Sequence, residues 1–211
     1  MPQIISLEAS SDMGKPIQFW QLFSVLGQQQ IIAIVSDFYQ RVFRDEDWFT
    51  SVFARVGGVN HHINTQGGMW LDVMGAGPAY HGGEFRLHFH HTHNAFQLMN
   101  EKGANRWAKL MVETLDATAH HMGGDPRVRP GINTFLTHFF AQYASDFSFE
   151  IRESFGPTNP PMRRKINFLN MTEAEIEALS EAELKQALID RGIDVIQLAD
   201  KSAMVRRALS L

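Results

Sequence analysis

Residues 31–43 read Ile31-Ile32-Ala33-Ile34-Val35-Ser36-Asp37-Phe38-Tyr39-Gln40-Arg41-Val42-Phe43. Ile31, Ile34, Val35, Phe38, Tyr39 and Val42 follow the i, i+3, i+4, i+7 spacing that lines one side of an α-helix. The stretch therefore predicts a long helix with a broad buried face. Upstream, Ile17, Trp20, Leu22, Phe23 and Leu26 recur at helical spacing, with Gly27 as the corner between the two runs. Downstream, Asp45, Glu46 and Asp47 open a short element carrying Trp48, Phe49, Val52 and Phe53, which Gly57-Gly58 breaks. Residues 59–74 predict another helix, ended by Gly75, Gly77 and Pro78.

The same periodicity predicts a long helix over 100–122, with Trp107, Leu110, Met111, Thr114 and Leu115 inward and Gly123-Gly124 as its stop. A further long helix is predicted over 130–153, carrying Ile132, Phe135, Leu136, Phe139, Phe140, Tyr143 and Phe147. In the His-rich stretch 84–95, the alternation Phe85, Leu87, Phe89 allows a strand. A helix fits better with a chain that shows almost no strand signal elsewhere. The fold class expected is all-α.

Composition narrows the chemistry. The 211 residues are 44% hydrophobic and 20% charged, as in globular proteins, with net charge -4 and no cysteine. That excludes disulfides, thiolate metal sites and cysteine nucleophiles. The acidic balance argues against nucleic acid as main partner. No apolar run approaches the ~20 residues that span a bilayer. The start lacks a basic region followed by an apolar stretch, so a cytoplasmic, membrane-free protein is expected. All 10 histidines lie between His61 and His138, which is where chemistry is to be sought.

Residues 154–170, with Gly156, Pro157, Pro160, Pro161 and Arg163-Arg164-Lys165, read as a linker. Beyond it, residues 171–211 have no Pro, His or aromatic residue and carry eight acidic and five basic side chains. Thr172 and Ser180 each precede a Glu by three, the capping-box spacing. Short helices are predicted near 172–178, 181–190 and 200–209. The division expected is 1–155, a 156–170 linker and 171–211.

An all-helical, aromatic-rich domain with a His-rich centre suits a flat cofactor. Such a group needs an apolar slot, a strong ligand on one face and polar donors on the other. At this point a family resemblance emerges. Asp37-Phe38-Tyr39-Gln40-Arg41-Val42, Asp45-Glu46 and Val52-Phe53 resemble the second and third helices of truncated (two-over-two) haemoglobins. Gly75-Ala76-Gly77-Pro78-Ala79-Tyr80 resembles that family's GGPxxY turn. Arg86-Leu87, a following His, then Phe96, Leu98 and Arg106-Trp107 resemble the proximal stretch and Trp-bearing helix of its group II. The likeness covers roughly residues 16–153. The glycine pair usual between the first two helices is reduced to Gly27, and the proximal stretch aligns only with a small insertion.

The resemblance implies a globin-like fold and haem b held by a histidine. His88, His90, His91 and His93 are candidates. His93 precedes Phe96 by three and Leu98 by five, as the family's ligand does, and comes thirteen residues after Tyr80. His91 better fits the upstream Arg86-Leu87. On the distal face the resemblance assigns Tyr39 to the ligand-facing tyrosine and Phe53 to the aromatic against the porphyrin. Trp107 takes the place of the group II tryptophan. Counting back from Met69-Trp70 puts Gln66 and His62 on the distal helix, one turn apart. His62 is also placed to serve as a sixth iron ligand. Tyr80 and Arg86 are candidates for the propionates. A hydrogen bond to a partly charged ligand is worth ~1.5–3 kcal/mol, so these donors would retain dioxygen or another diatomic. Nitric oxide or peroxide chemistry would require an electron-donor protein.

Two other classes remain open. The four histidines from His88 to His93 could serve a zinc or non-haem iron enzyme, although HExxH is absent. Alternatively the haem domain is a gas sensor or scaffold acting through its tail. Residues 179–194, with Lys201-Ser202 and Val205–Leu209, resemble SAP-type helical modules. Such modules often bind nucleic acid, but this one is acidic, and phosphate binding needs net cations.

Overall fold

The computed structural model describes residues 6–78, 89–160, 166–198 and 200–211, without the side chains of Asn94 and Asn170. Every regular element among them is helical, and none is a strand. The chain divides into two units, 1–159 and 160–211, each with its own apolar core.

In the first unit, a single turn at Phe19–Gln21 leads into α1, Leu22–Val42. Gly27 interrupts α1 with φ 68° and ψ 170°, left-handed backbone that costs glycine little. The corner falls where the two apolar runs change phase. Leu22 and Leu26 are buried before it, and Ile31, Ile34, Val35, Phe38, Tyr39 and Val42 after it. Burying a side chain such as Phe38 contributes ~1.5–3 kcal/mol, so this face anchors the unit.

The helices α2, Asp47–Arg55, and α3, Val59–Val73, come next. The Thr50 hydroxyl spans the α1–α2 corner, within 3.1 Å of the carbonyls of Val42 and Asp45. Gly67 in α3 lies against the tip of Ile32, and α3 packs closely on α1. At its end the Phe23 N–H donates to the Met74 carbonyl at 3.0 Å.

After residues 79–88, which lie outside the described residues, the chain resumes at Phe89. His90–Asn94 form one π turn, in which the Ala95 N–H reaches the His90 carbonyl at 2.9 Å. A 3-10 turn at Phe96–Leu98 leads to α4, Glu101–Ala117. Asn100 caps α4, accepting from the Gly103 N–H at 3.0 Å. The helix predicted over 100–122 divides at Thr118, whose hydroxyl donates back to the Thr114 carbonyl at 2.8 Å; beyond it lies a short 3-10 turn, Ala119–Met122.

Pro130 sits in the first turn of α5, Val128–Phe147, where its missing N–H costs no helical bond. This helix ends at Ser148, φ 54°, and not at 153 as predicted. The reason is that Phe149, Ile151 and Phe155 turn back onto the core. Asn105 Oδ1 accepts from the N–H groups of Arg152 and Glu153, and the Asn159 amide donates to the Ile17 carbonyl at 2.6 Å. Residues 156–159 thus belong to the first unit.

The second unit holds α6, Glu173–Ala178, α7, Glu181–Ile189, and α8, Lys201–Leu209. Thr172 with Glu175 and Ser180 with Glu183 form the two predicted capping boxes. Ile176, Leu184, Leu188, Met204 and Val205 make its core. No helix among the described residues is long and apolar enough to cross a membrane.

Candidate functional site

An aromatic-lined cavity opens within the first unit, with about 770 Å³ of unfilled space including its mouth. Its walls come from α1 (Tyr39), α2 (Phe53), α3 (Gln66, Met69, Trp70), α4 (Gly103, Ala104, Trp107) and α5 (Phe135, Leu136, Phe139, Phe140, Tyr143). The π turn contributes His90 and His91, the residues between it and α4 contribute Ala95, Leu98 and Met99, and Phe149 completes the lining. No Asp, Glu, Lys or Arg is among these residues. The site is therefore an apolar slot with a few imidazole, phenol, indole and amide groups, in which electrostatic interactions are poorly screened.

Two histidines of the π turn reach the cavity. His91 is half-buried, edge-on to Tyr143 with ring centroids 4.3 Å apart and 6.4 Å from Phe147, so α5 walls it. His90 beside it has its pKa pushed below the usual imidazole range by burial, with His62 and His61 adding to the effect. His93 does not line the cavity. It is exposed, stacked on Phe89 at 4.3 Å, with Nδ1 2.8 Å from the Thr92 hydroxyl and 3.2 Å from the Phe89 carbonyl. Tyr80, Arg86 and His88 lie outside the described residues.

Tyr39, Phe53, Gln66 and Trp107 line the same cavity. Trp107 is held between Phe38, at 4.6 Å, and Phe140, at 4.8 Å, with Phe155 behind. Neither the Gln66 amide nor the Trp107 indole N–H makes a hydrogen bond with a described residue. His62 stands one layer back, buried and absent from the lining.

Sequence reasoning named His90 as a histidine candidate, Tyr143 as part of an apolar helix stripe and Met69-Trp70 as a reference pair, but gave Tyr143, Met69 and Trp70 no place in the site that they line. Tyr143 was legible as the next position of the Phe139–Phe140 stripe. It also missed the pairing of Arg106 with Asp45, whose Nε and Oδ2 are 2.7 Å apart in a two-pronged ion pair. Arg106 holds the carboxyl of Asp45 below the ordinary carboxylate range. The pair fastens the start of α2, which carries Phe53, to the turn of α4 that carries Trp107. Among the described residues no three His, Asp or Glu side chains converge to hold a metal ion.

A family profile described as bacterial-like globin matches residues 21–141. The chain is 30% identical over 118 residues to the Group 2 truncated hemoglobin 3-1 of Lotus japonicus, covering 56% of this chain and 67% of that protein. It is 31% identical over 96 residues to the Two-on-two hemoglobin-3 of Arabidopsis thaliana, covering 45% of this chain and 54% of that one. No solved structure matches. The chain belongs to the bacterial-like globin family, whose members include truncated haemoglobins. Haem b is the cofactor expected of it. The donor set fits that group: an uncharged, aromatic-rich slot lined by imidazole, phenol, indole and amide groups.

Proposed function

We propose that this chain binds haem b through His91 and retains a diatomic ligand, dioxygen in the first instance, with Tyr39, Gln66 and Trp107. The observation that carries the reading is the uncharged cavity that brings the imidazole of His91, edge-on to Tyr143, together with the donor side chains of Tyr39, Gln66 and Trp107. Haem b, when bound, would supply an iron able to take a small diatomic molecule. The protein's part is to orient and enclose. The imidazole of His91 is half-buried against α5. Tyr143 and Phe147 limit rotation of the ring.

The phenol of Tyr39 and the N–H groups of Gln66 and Trp107 offer hydrogen bonds to a ligand that accumulates negative charge. Their value is raised by the absence of competing charges and by the aromatic walls that exclude water. Retention of this kind needs no electron donor. Oxidation of nitric oxide or reduction of peroxide would need one from outside the chain.

The test is a hemin titration followed by ultraviolet–visible spectroscopy, before and after dithionite and carbon monoxide. A saturable one-to-one Soret band is expected, lost in His91→Gly and kept in His93→Gly. Loss in His93→Gly with retention in His91→Gly would return the ligand to His93. No saturable band in the wild type would remove the haem reading. Replacing Tyr39 by Phe should speed dioxygen release about ten- to a hundredfold, the equivalent of one hydrogen bond to a partly charged acceptor.

A further inference from the structure

His62 is one turn before Gln66 on α3, yet only Gln66 meets the cavity. His62 is 4% exposed and enclosed by aromatic rings from α1, from the residue that caps its end and from α2. Its plane lies 15° from that of Tyr39, with ring centroids 5.2 Å apart. Phe53 meets it edge-on at 5.4 Å, and Phe43 tilts against it at 5.6 Å. Its Nε2 lies 3.0 Å from the carbonyl oxygen of Phe53. A carbonyl only accepts, so Nε2 must carry the proton and donate it. That fixes the tautomer by chemistry.

This geometry has two consequences. An Nε2 that is protonated and engaged has no lone pair for a metal, and its ring lies behind Tyr39 and not beside the slot. The sixth-ligand role that the sequence allowed would therefore fall to Nδ1, on a ring that does not line the cavity. The second consequence concerns Tyr39. A phenol on a helix can turn about its side-chain bonds, and its hydroxyl is useful only if it points at one spot. The flat face of His62 closes one side of the ring, while Phe38 and Phe53 meet Tyr39 at 5.0 and 6.0 Å with near-perpendicular planes. The bond to Phe53 in turn fixes the imidazole, and it ties the last turn of α2 to α3.

We propose that His62 is a positioning residue: pinned through Nε2–H to the Phe53 carbonyl, it serves as the platform that aims the Tyr39 hydroxyl into the cavity. The inference rests on the reading of Tyr39 as a ligand-facing donor, and its test separates the two.

The experiment measures dioxygen release from the haem-loaded full-length protein in Tyr39→Phe, His62→Leu, His62→Phe and the double variant Tyr39→Phe with His62→Leu. His62→Leu should speed release about 2- to 10-fold, the scale of one aromatic stacking contact. His62→Phe, which keeps a flat ring, should recover part of that effect. The double variant should be no faster than Tyr39→Phe alone, because His62 acts only through the hydroxyl. Multiplying effects in the double variant would overturn the proposal by showing direct action on the ligand. A wild-type rate in His62→Leu, with Tyr39→Phe fast, would overturn it and leave the reading of Tyr39 intact. A wild-type rate in Tyr39→Phe would overturn that reading and this proposal with it. The visible spectrum of the ferrous protein without added ligand provides a readout independent of rates. It should be unchanged in His62→Phe, and conversion from six- to five-coordinate bands there would establish His62 as an iron ligand instead.

Discussion

Gly103 is the third residue of α4, lines the cavity and donates its N–H to the Asn100 cap. A Cβ added there would fall on the carbonyl oxygen of Leu98 and lie 2.7 and 2.8 Å from the Leu98 Cα and carbonyl carbon. Ordinary contacts begin at 3.4 Å, so the Phe96–Leu98 turn must retreat by about 0.7 Å or more. All three obstacles are backbone, so no side chain can rotate to relieve them. Overpacking of this kind costs about 1–3 kcal/mol. The gain in helix propensity from Gly to Ala returns at most about 1 kcal/mol. Gly103→Ala should therefore lower stability by about 1–2 kcal/mol, or about 2–8 °C in Tm for a domain of this size. Because the displaced turn adjoins the His-bearing π turn, hemin should also pass faster to an acceptor globin. Gly67→Ala is the control: its Cβ meets only the terminal carbon of the Ile32 side chain, which can swing aside. Thermal denaturation with and without hemin, with a hemin-transfer assay, checks both. A Gly103→Ala protein as stable and as hemin-retentive as Gly67→Ala would refute the close-approach argument.

Asp45→Asn should destabilise the protein by about 1.5–3 kcal/mol, the worth of hydrogen bonds to a charged group. The folded carboxyl is held below its unfolded value of ~3.9 by Arg106, so this contribution is fully present above that value and lost as pH falls through the folded one. Denaturant titrations should show a constant gap between wild type and variant from pH 5 to 8 that closes below about pH 4; a gap that widens in acid would contradict the pairing. Deletion of residues 160–211 should leave Tm and the hemin titration of residues 1–159 within error, since the first core draws only on residues 17–155 among its buried members. Loss of hemin binding in that fragment would show the second unit to be integral.

The fold was legible because its signals are local. The spacing of Ile31 through Val42, the Gly27 corner and the Thr172 and Ser180 capping boxes each depend on a few neighbouring residues, and each is found in place. Helix ends were less legible where tertiary packing decides them. Nothing near Ser148 announces that Phe149, Ile151 and Phe155 return to the core. On the distal side, Tyr39, Phe53, Gln66 and Trp107 line one cavity, as ordinary helical phase allows one to read. His62 and Gln66 share a helix face in sequence, but the ring of Tyr39 interposes between His62 and the slot. The proximal histidine was hardest, because the spacing to Phe96 and Leu98 pointed to His93 while His90 and His91 are the ones at the cavity.

That last difference stems from the widened turn at His90–Asn94. A π turn holds one residue more than an α-helical turn, so a count made at α-helical spacing goes out of phase there. Counting along the chain works on either side of such a turn and fails across it.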